Sequence, residues 1–379
     1  MIKKTFSFAK NYIKDILALP FYCRSPEIET NKILEGAVSY VDSLRVEDYE
    51  YLFSNAAQSP TLFSSVYATL TYGLSHSQIE NTNGWFEFFD SFQDDDGMWR
   101  DKQNPFRNWE SRSDEWNEIH LASHIIYAYE AIGKIPSKDF RFLDKFKNMK
   151  YTSEFCNNID FEKFWGESNG VMNYLVSMMY SRDVMGNQDF EQPIEYMIEF
   201  LKKRMDATEG LWTLRRDKDS LYEAIRGGYH VWMLMIQEGV EFDGVVITNI
   251  IDTILDLQNK YGGFNKQVIA DTCHNIDCID PLVRFAFMKP GYRSEDIKRA
   301  LIRSRRYLLN NRNGDGGFCF RRLDKMHYGC DAHISLRNGS NIFATWFSLL
   351  ALLIIEDYFG EGVWLQSFLP GLEYSVRLV

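Results

Sequence analysis

The chain has 379 residues, 45% of them hydrophobic and 25% charged, with a formal net charge of −11. This is the composition of a globular protein with enough apolar residues for a large core. The acidic balance and the lack of a basic stripe argue against a nucleic-acid partner, and no run of 18 or more uncharged apolar residues suggests a transmembrane helix.

The first segment, 1–25, reads as a basic amphipathic helix. Phe6, Ala9, Ile13, Ile16 and Leu17 recur at helical spacing beside Lys3, Lys4, Lys10 and Lys14, and the lysines with Asp15 interrupt any signal-peptide core. Such a helix suits docking against the rest of the chain, and it equally suits peripheral contact with a membrane surface. Thr30 to Ser43 and Pro60 to Leu74 follow as two more helical runs.

From residue 85 onward a pattern repeats. Apolar helical runs (Trp85 to Phe92, Ile194 to Met205, Ile247 to Leu257, Ile297 to Leu309) each end in a polar turn, a Gly and a large hydrophobic residue. The turns are Gln93-Asp94-Asp95-Asp96-Gly97-Met98-Trp99, Asp206-Ala207-Thr208-Glu209-Gly210-Leu211-Trp212, Asn259-Lys260-Tyr261-Gly262-Gly263-Phe264 and Asn313-Gly314-Asp315-Gly316-Gly317-Phe318. Taking Gly97, Gly210, Gly263 and Gly317 as equivalent gives gaps of 113, 53 and 54 residues, hence a unit of roughly 55 residues with one degenerate copy near Phe164 to Asn169. After each turn comes a second helical run: Glu118 to Ile132, Val171 to Tyr180, Tyr222 to Gln237, Cys273 to Met288 and Asn341 to Ile355. Strand alternation is nearly absent. The chain therefore reads as all-α, one unit of six helix pairs closed into a ring, with one helix of each pair lining the inside. A Gly permits the sharp exit from a helix and the aromatic ring packs one unit on the next.

Several groups could carry chemistry. Asp271, Cys273, His274, Asp277, Cys278 and Asp280 fall within ten residues at the start of one run, with His274, Asp277 and Cys278 one helical turn apart. Three readings stay open. Asp277 or Asp280 acts as general acid or base, its pKa raised by a desolvating cavity. Alternatively Asp271, Cys273 and His274 hold an ion, completed by His327, Cys330 or His333, and zinc is the ion such donors suit. Or the acids serve the helix start, with Asp271 as its cap. No other cofactor is expected. His120 and His124 stand at i and i+4 on one run, Glu167 and Asn169 open another, Arg226 and His230 share a face of a third, and Asn341 begins the last. Trp109, Arg112 and Trp116, in an aromatic loop, are candidates for the cavity mouth, as are Arg321, Arg322, Lys325, His327, Asp331, His333 and Arg337 between Phe318 and Asn341. Asp94, Asp95 and Asp96 invite a magnesium reading, but a turn at the rim needs only solvated charge. Six scattered cysteines form no disulfide framework, so the cytoplasm is the expected compartment.

The Gln-and-aromatic turns resemble the repeats of squalene and hopene cyclases and of protein prenyltransferase β subunits. That resemblance implies an α/α toroid over about residues 80 to 355 with its cavity among the inner-helix starts. Prenyltransferases follow the Gly-Gly-Phe turn with an Asp-x-Cys that ligates zinc, similar to Asp271-Thr272-Cys273, but their third ligand, a His, has no counterpart in Asn341-Ile342-Phe343-Ala344. Cyclases use Asp-x-Asp-Asp as acid, from which Asp277-Cys278-Ile279-Asp280 departs. The expected function is a terpene-cyclase-like enzyme with Asp277 or Asp280 as acid. The alternatives are a lyase, epimerase or hydrolase acting on an acidic glycan, and a non-catalytic binding or scaffold protein.

Overall fold

A computed structural model describes residues 13–75, 79–105, 114–213 and 215–360. Helix α1 covers 13–22. It is followed by α2 (Thr30–Ser43), α3 (Leu62–Leu74), α4 (Thr82–Ser91), α5 (Asp114–Ala131), α6 (Met149–Asn157), α7 (Phe164–Asp183), α8 (Glu191–Arg204), α9 (Lys218–Gln237), α10 (Gly244–Leu257), α11 (Thr272–Met288), α12 (Ser294–Leu309) and α13 (Ile342–Tyr358). Three short 3-10 helices (Arg141–Lys147, Phe161–Lys163 and Gln188–Phe190) and two short antiparallel ribbons complete the described elements, the ribbons being β1 (Arg45–Glu47) with β2 (Glu50–Tyr51) and β3 (Met326–His327) with β4 (Ile334–Ser335).

The odd-numbered helices from α3 to α13 pack in sequence, each against the next, and α13 packs against α3. The result is the expected (α/α)6 toroid. The pairs are α2/α3, α4/α5, α6/α7, α8/α9, α10/α11 and α12/α13, so the two helical runs before residue 75 supply the sixth pair. The one unforeseen helix is α6, short and polar, in the degenerate unit.

Inner and outer helices differ as burial demands. On α12 the buried residues Ile297, Ala300, Leu301, Ser304 and Leu308 form one stripe at i, i+3, i+4, i+7 and i+11, joined near the C-terminal end by Tyr307 and Leu309, and the opposite face meets water. On α3 every residue from Leu62 to Thr71 is buried. On a helix buried all round, threonine hydroxyls find partners in the helix's own carbonyls: Thr69 Oγ1 donates to Ser65 O (3.0 Å) and Thr71 Oγ1 to Tyr67 O (2.7 Å).

The repeated turns tie one unit to the next. Gln93 Nε2 donates to Gly97 O (2.9 Å) and to Lys138 O in the following unit (3.3 Å); Gln258 Nε2 donates to Gly262 O (3.2 Å) and to Ala300 O on α12 (2.9 Å). Trp99, Phe264 and Phe318 are fully buried behind these turns. The glycine register requires a correction. The left-handed positions are Gly97, Gly210, Gly262 and Gly316, with φ of 83°, 69°, 99° and 92°. Gly263 and Gly317 are the residues after them, where any side chain would collide with Tyr307 and Tyr40 respectively. A side chain on Gly97 would meet the Asp139 carbonyl, on Gly262 the Arg303 carbonyl, and on Gly316 the Gly36 carbonyl of α2. The last turn thus rests on the first outer helix as each earlier turn rests on its successor, and the ring closes.

The acidic turn residues are used locally. Arg100 pairs with Asp94 (3.1 Å) and Asp96 (2.9 Å), and Lys102 pairs with Asp94 (2.7 Å). Both carboxyls are held below the usual range, Asp94 by Lys102 and Arg100, and Asp96 by Arg100 and the Met98 amide against the opposing effect of burial.

Candidate functional site

A cavity of about 340 Å³ runs down the inside of the ring. On α11 its wall extends from Asp271 to Arg284, and on α5 from Trp116 to Tyr127, so at 1.5 Å per residue it follows the axis for roughly 15–20 Å. The α12–α13 connection closes over it with Phe320, Arg321, Asp324, Lys325, His327 and Tyr328.

Of the sequence candidates, Asp277, Asp280, Asp271, Cys273, His120, His124, His230, Asn169 and Trp116 line this cavity. Asn341, Arg226, His274 and Glu167 do not, nor do Cys278 of α11 or Arg322, Asp331 and Arg337 of the last connection. Asn341 is the N-cap of α13, its Oδ1 accepting the Ala344 amide (2.8 Å). Arg226 lies behind the wall, donating to Phe264 O (2.9 Å) with its guanidinium against Trp165 and Tyr222. His274 is wedged between Asp271 (3.3 Å) and the Trp165 ring. Glu167 is absent from the wall. Trp109 and Arg112 lie outside the described residues.

Asp271 does cap α11, accepting the His274 amide (2.9 Å), so it serves the helix start while facing the cavity. The candidate zinc donors are not gathered among the described residues. His333 faces away, with Nδ1 donating to Tyr328 O (2.8 Å) and Nε2 beside Thr61 Oγ1 (2.9 Å), and Cys330 is not on the wall. Among the described residues no three His, Cys, Asp or Glu side chains converge as metal ligands.

The α11 carboxyls sit in unlike surroundings. Asp277 is 2% exposed, and burial pushes its pKa well above the carboxylate range against the opposing pull of Arg226 and of Trp165. Trp165 Nε1 donates to its Oδ2 (2.8 Å). Pro281, four residues on, removes the amide that would otherwise bond the Asp277 carbonyl within the helix. Asp280 is also raised by burial, but Arg284 opposes this: its Nε lies 2.7 Å from Asp280 Oδ1 as an ion pair rather than an aligned hydrogen bond.

Facing α11, the inner helices α5, α7 and α9 carry a chain of polar contacts. Tyr328 OH meets His120 Nε2 (2.8 Å); Asn173 Nδ2 approaches His120 Nδ1 (3.4 Å) and donates to Asn169 Oδ1 (3.1 Å); Asn169 Nδ2 approaches His230 Nε2 (3.4 Å); and His230 Nδ1 meets Ser168 Oγ (3.0 Å). Ser168 spends its own proton on Trp165 O (3.2 Å), so the network assigns the His230 proton to Nδ1 and leaves Nε2 as the acceptor. In the same way His124 Nδ1 donates to His120 O (2.7 Å), which makes its Nε2 the basic nitrogen. Burial lowers the pKa of His124 to about 4, so it is neutral at ordinary pH.

Four contributors escaped the sequence reading. Trp165, Asn173, Arg284 and Tyr328 enter the site only because the ring brings α7, α11 and the last connection together. Only Asn173 left a signal, standing one turn after Asn169.

The buried imidazoles predict an acid limb in stability. His124, His274 and His333 are each lowered to about 4, chiefly by burial, from an ordinary value near 6.5. A depressed folded pKa means stability present above the unfolded value and lost as pH falls toward the folded one. Unfolding free energy should therefore fall between about pH 6.5 and 4, by up to roughly 3 kcal/mol per imidazole, and His333→Gln should remove part of that slope. Urea melts across this range, with an unchanged slope in the variant as the contrary result, check it.

No family model and no curated protein matches the chain. Among solved structures it is similar to a polysaccharide lyase, at 11% identity over 87% of this chain and 98% of that one with a TM-score of 0.48. It is also similar to a GH76 α-mannanase of Bacteroides thetaiotaomicron, at 11% identity over 87% and 96% with a TM-score of 0.47. Similarity at this level says nothing of substrate or of residue roles.

Proposed function

We propose that the protein cleaves an acidic glycan by acid–base chemistry in the toroid cavity, with β-elimination as the reaction. The observation that carries this reading is the pairing, across one cavity, of a carboxyl whose pKa burial raises (Asp277) with the imidazole of His124, neutral through burial, and with that of His230. Elimination next to a sugar carboxylate needs a base for the α-proton, an acid for the leaving oxygen and positive charge on the carboxylate. A neutral imidazole accepts the C5 proton, the C4–O bond breaks, Asp277 protonates the departing oxygen, and a C4=C5 double bond forms. Lys325 at the mouth suits the carboxylate, and the faces of Trp116 and Trp165 suit a sugar ring.

Hydrolysis would need an ionised carboxylate as base or nucleophile. Among the described wall residues Asp271 caps α11, Asp280 pairs with Arg284, and Asp324 pairs with Lys14 (2.6 Å) and Arg321 (2.7 Å), so each is engaged. The terpene-cyclase reading suits this wall less well, because imidazole lone pairs, a thiol (Cys273) and phenol oxygens would trap a carbocation.

The test is incubation with uronate polymers such as polygalacturonate, alginate and glycosaminoglycans. The expected result is new reducing ends together with the ultraviolet absorbance of a conjugated unsaturated uronate. Reducing ends without that absorbance would mean hydrolysis, and intact polymer throughout the panel would remove the glycan reading.

A further inference from the structure

A surface helix normally turns its apolar stripe inward and its polar face to water. Helix α1 has an apolar stripe on its outer face. Its inner face is anchored: Ala18 is fully buried, Tyr22 stacks on Tyr307 with ring centroids 4.2 Å apart, and Tyr22 OH donates to Asn311 Oδ1 (2.8 Å). Asp15 Oδ1 accepts the Val268 amide (3.0 Å), and Lys14 pairs with Asp324 (2.6 Å). The opposite face carries Ile13, Ile16 and Leu17, at i, i+3 and i+4, exposed by 57%, 49% and 51%. Three large aliphatic side chains held outward on one rigid turn form a patch that water disfavours.

We infer that α1 docks this protein on an anionic lipid surface, with Ile13, Ile16 and Leu17 entering the headgroup–acyl boundary. Charge selects the occupant. The sequence just before the stripe carries Lys3, Lys4 and Lys10, with no acidic residue before Asp15, in a chain whose net charge is −11. A basic segment beside an apolar stripe complements anionic headgroups, and each lysine near such a surface adds to binding. Among the described residues no helix is long and apolar enough to cross a membrane, so the contact is peripheral. Lys14 grips Asp324 on the cavity wall, so docking through α1 holds the mouth of the cavity close to the lipid surface.

The test is co-sedimentation of the full chain with vesicles of phosphatidylcholine alone and of phosphatidylcholine with phosphatidylglycerol, at low and high salt, beside gel filtration. The expected result is binding to the anionic vesicles that weakens with salt and falls at least about tenfold in I16E/L17E. Should that variant not fold, Lys3→Gln, Lys4→Gln and Lys10→Gln together should lose the salt-sensitive part of binding. No sedimentation with anionic vesicles, or binding undiminished in both variants, overturns the inference. So does a native dimer that I16E/L17E converts to monomer, because a second copy then covers the stripe.

Discussion

Asp277→Asn is expected to abolish turnover while leaving the fold at least as stable. Asn keeps the shape and an oxygen that can accept the Trp165 indole N–H, but it has no acidic proton to give. Loss of a positioned general acid costs on the order of 10²–10⁴-fold in kcat. Stability should move the other way. Burial raises the folded pKa of Asp277, so its stabilising contribution is complete below the ordinary carboxylate value and is lost as pH rises through the folded value. Asn ionises at no pH and escapes that loss. Denaturation of both proteins at several pH values should show the variant gaining on the native chain as pH rises. Turnover unchanged in the variant would remove Asp277 from the chemistry, and a large stability loss would make it a structural residue.

The second large effect is expected far from the cavity. Gly316→Ala should cost about 3–5 kcal/mol, the sum of a left-handed backbone strained by a side chain and a methyl group driven into the Gly36 carbonyl of α2. That is a large share of the ~5–15 kcal/mol that holds a typical native state. Gly314, two residues earlier in the same turn, has open space where its Cβ would stand and no left-handed φ, so Gly314→Ala should change stability by no more than about 0.5 kcal/mol. Equal unfolding midpoints in urea for the two variants would mean that the final turn does not rest on the first outer helix.

The ring was legible because its determinants are local and periodic. Ile297, Ala300, Leu301, Ser304 and Leu308 spell a one-sided helix, and Gln93 and Gln258 recur at the same place in two turns. The register within the Gly-Gly pairs was not legible. Either glycine of Gly262-Gly263 can take a left-handed φ, and only the neighbouring carbonyl of Arg303 decides between them. At the site, the dense acids of α11 stood out because burying them is costly. Yet Asp271 and Asn341 looked like the same kind of residue and turned out to cap helices, since Asp and Asn are also preferred N-caps. Trp165, Tyr328 and Arg284 carry no local mark. Their meaning arises from which helices the closed ring makes neighbours, and that is information about pairs far apart in sequence.

The contact between α13 and α3 also bears on how the molecule is made. During synthesis α3 leaves the ribosome near the beginning and its partner near the end, so one flank of the first hairpin stays bare while the other five pairs are built. Phe63, Tyr67 and Leu70 on α3 are apolar and buried in the finished ring, and Phe343 and Trp346 on α13 lie against the Tyr67 ring. A growing chain with that surface uncovered offers a sticky edge to its neighbours and to chaperones. Locking comes as a late, long-range event, so a nonsense or frameshift lesion removing only α13 should leave an aggregating remnant instead of a slightly shortened, working protein.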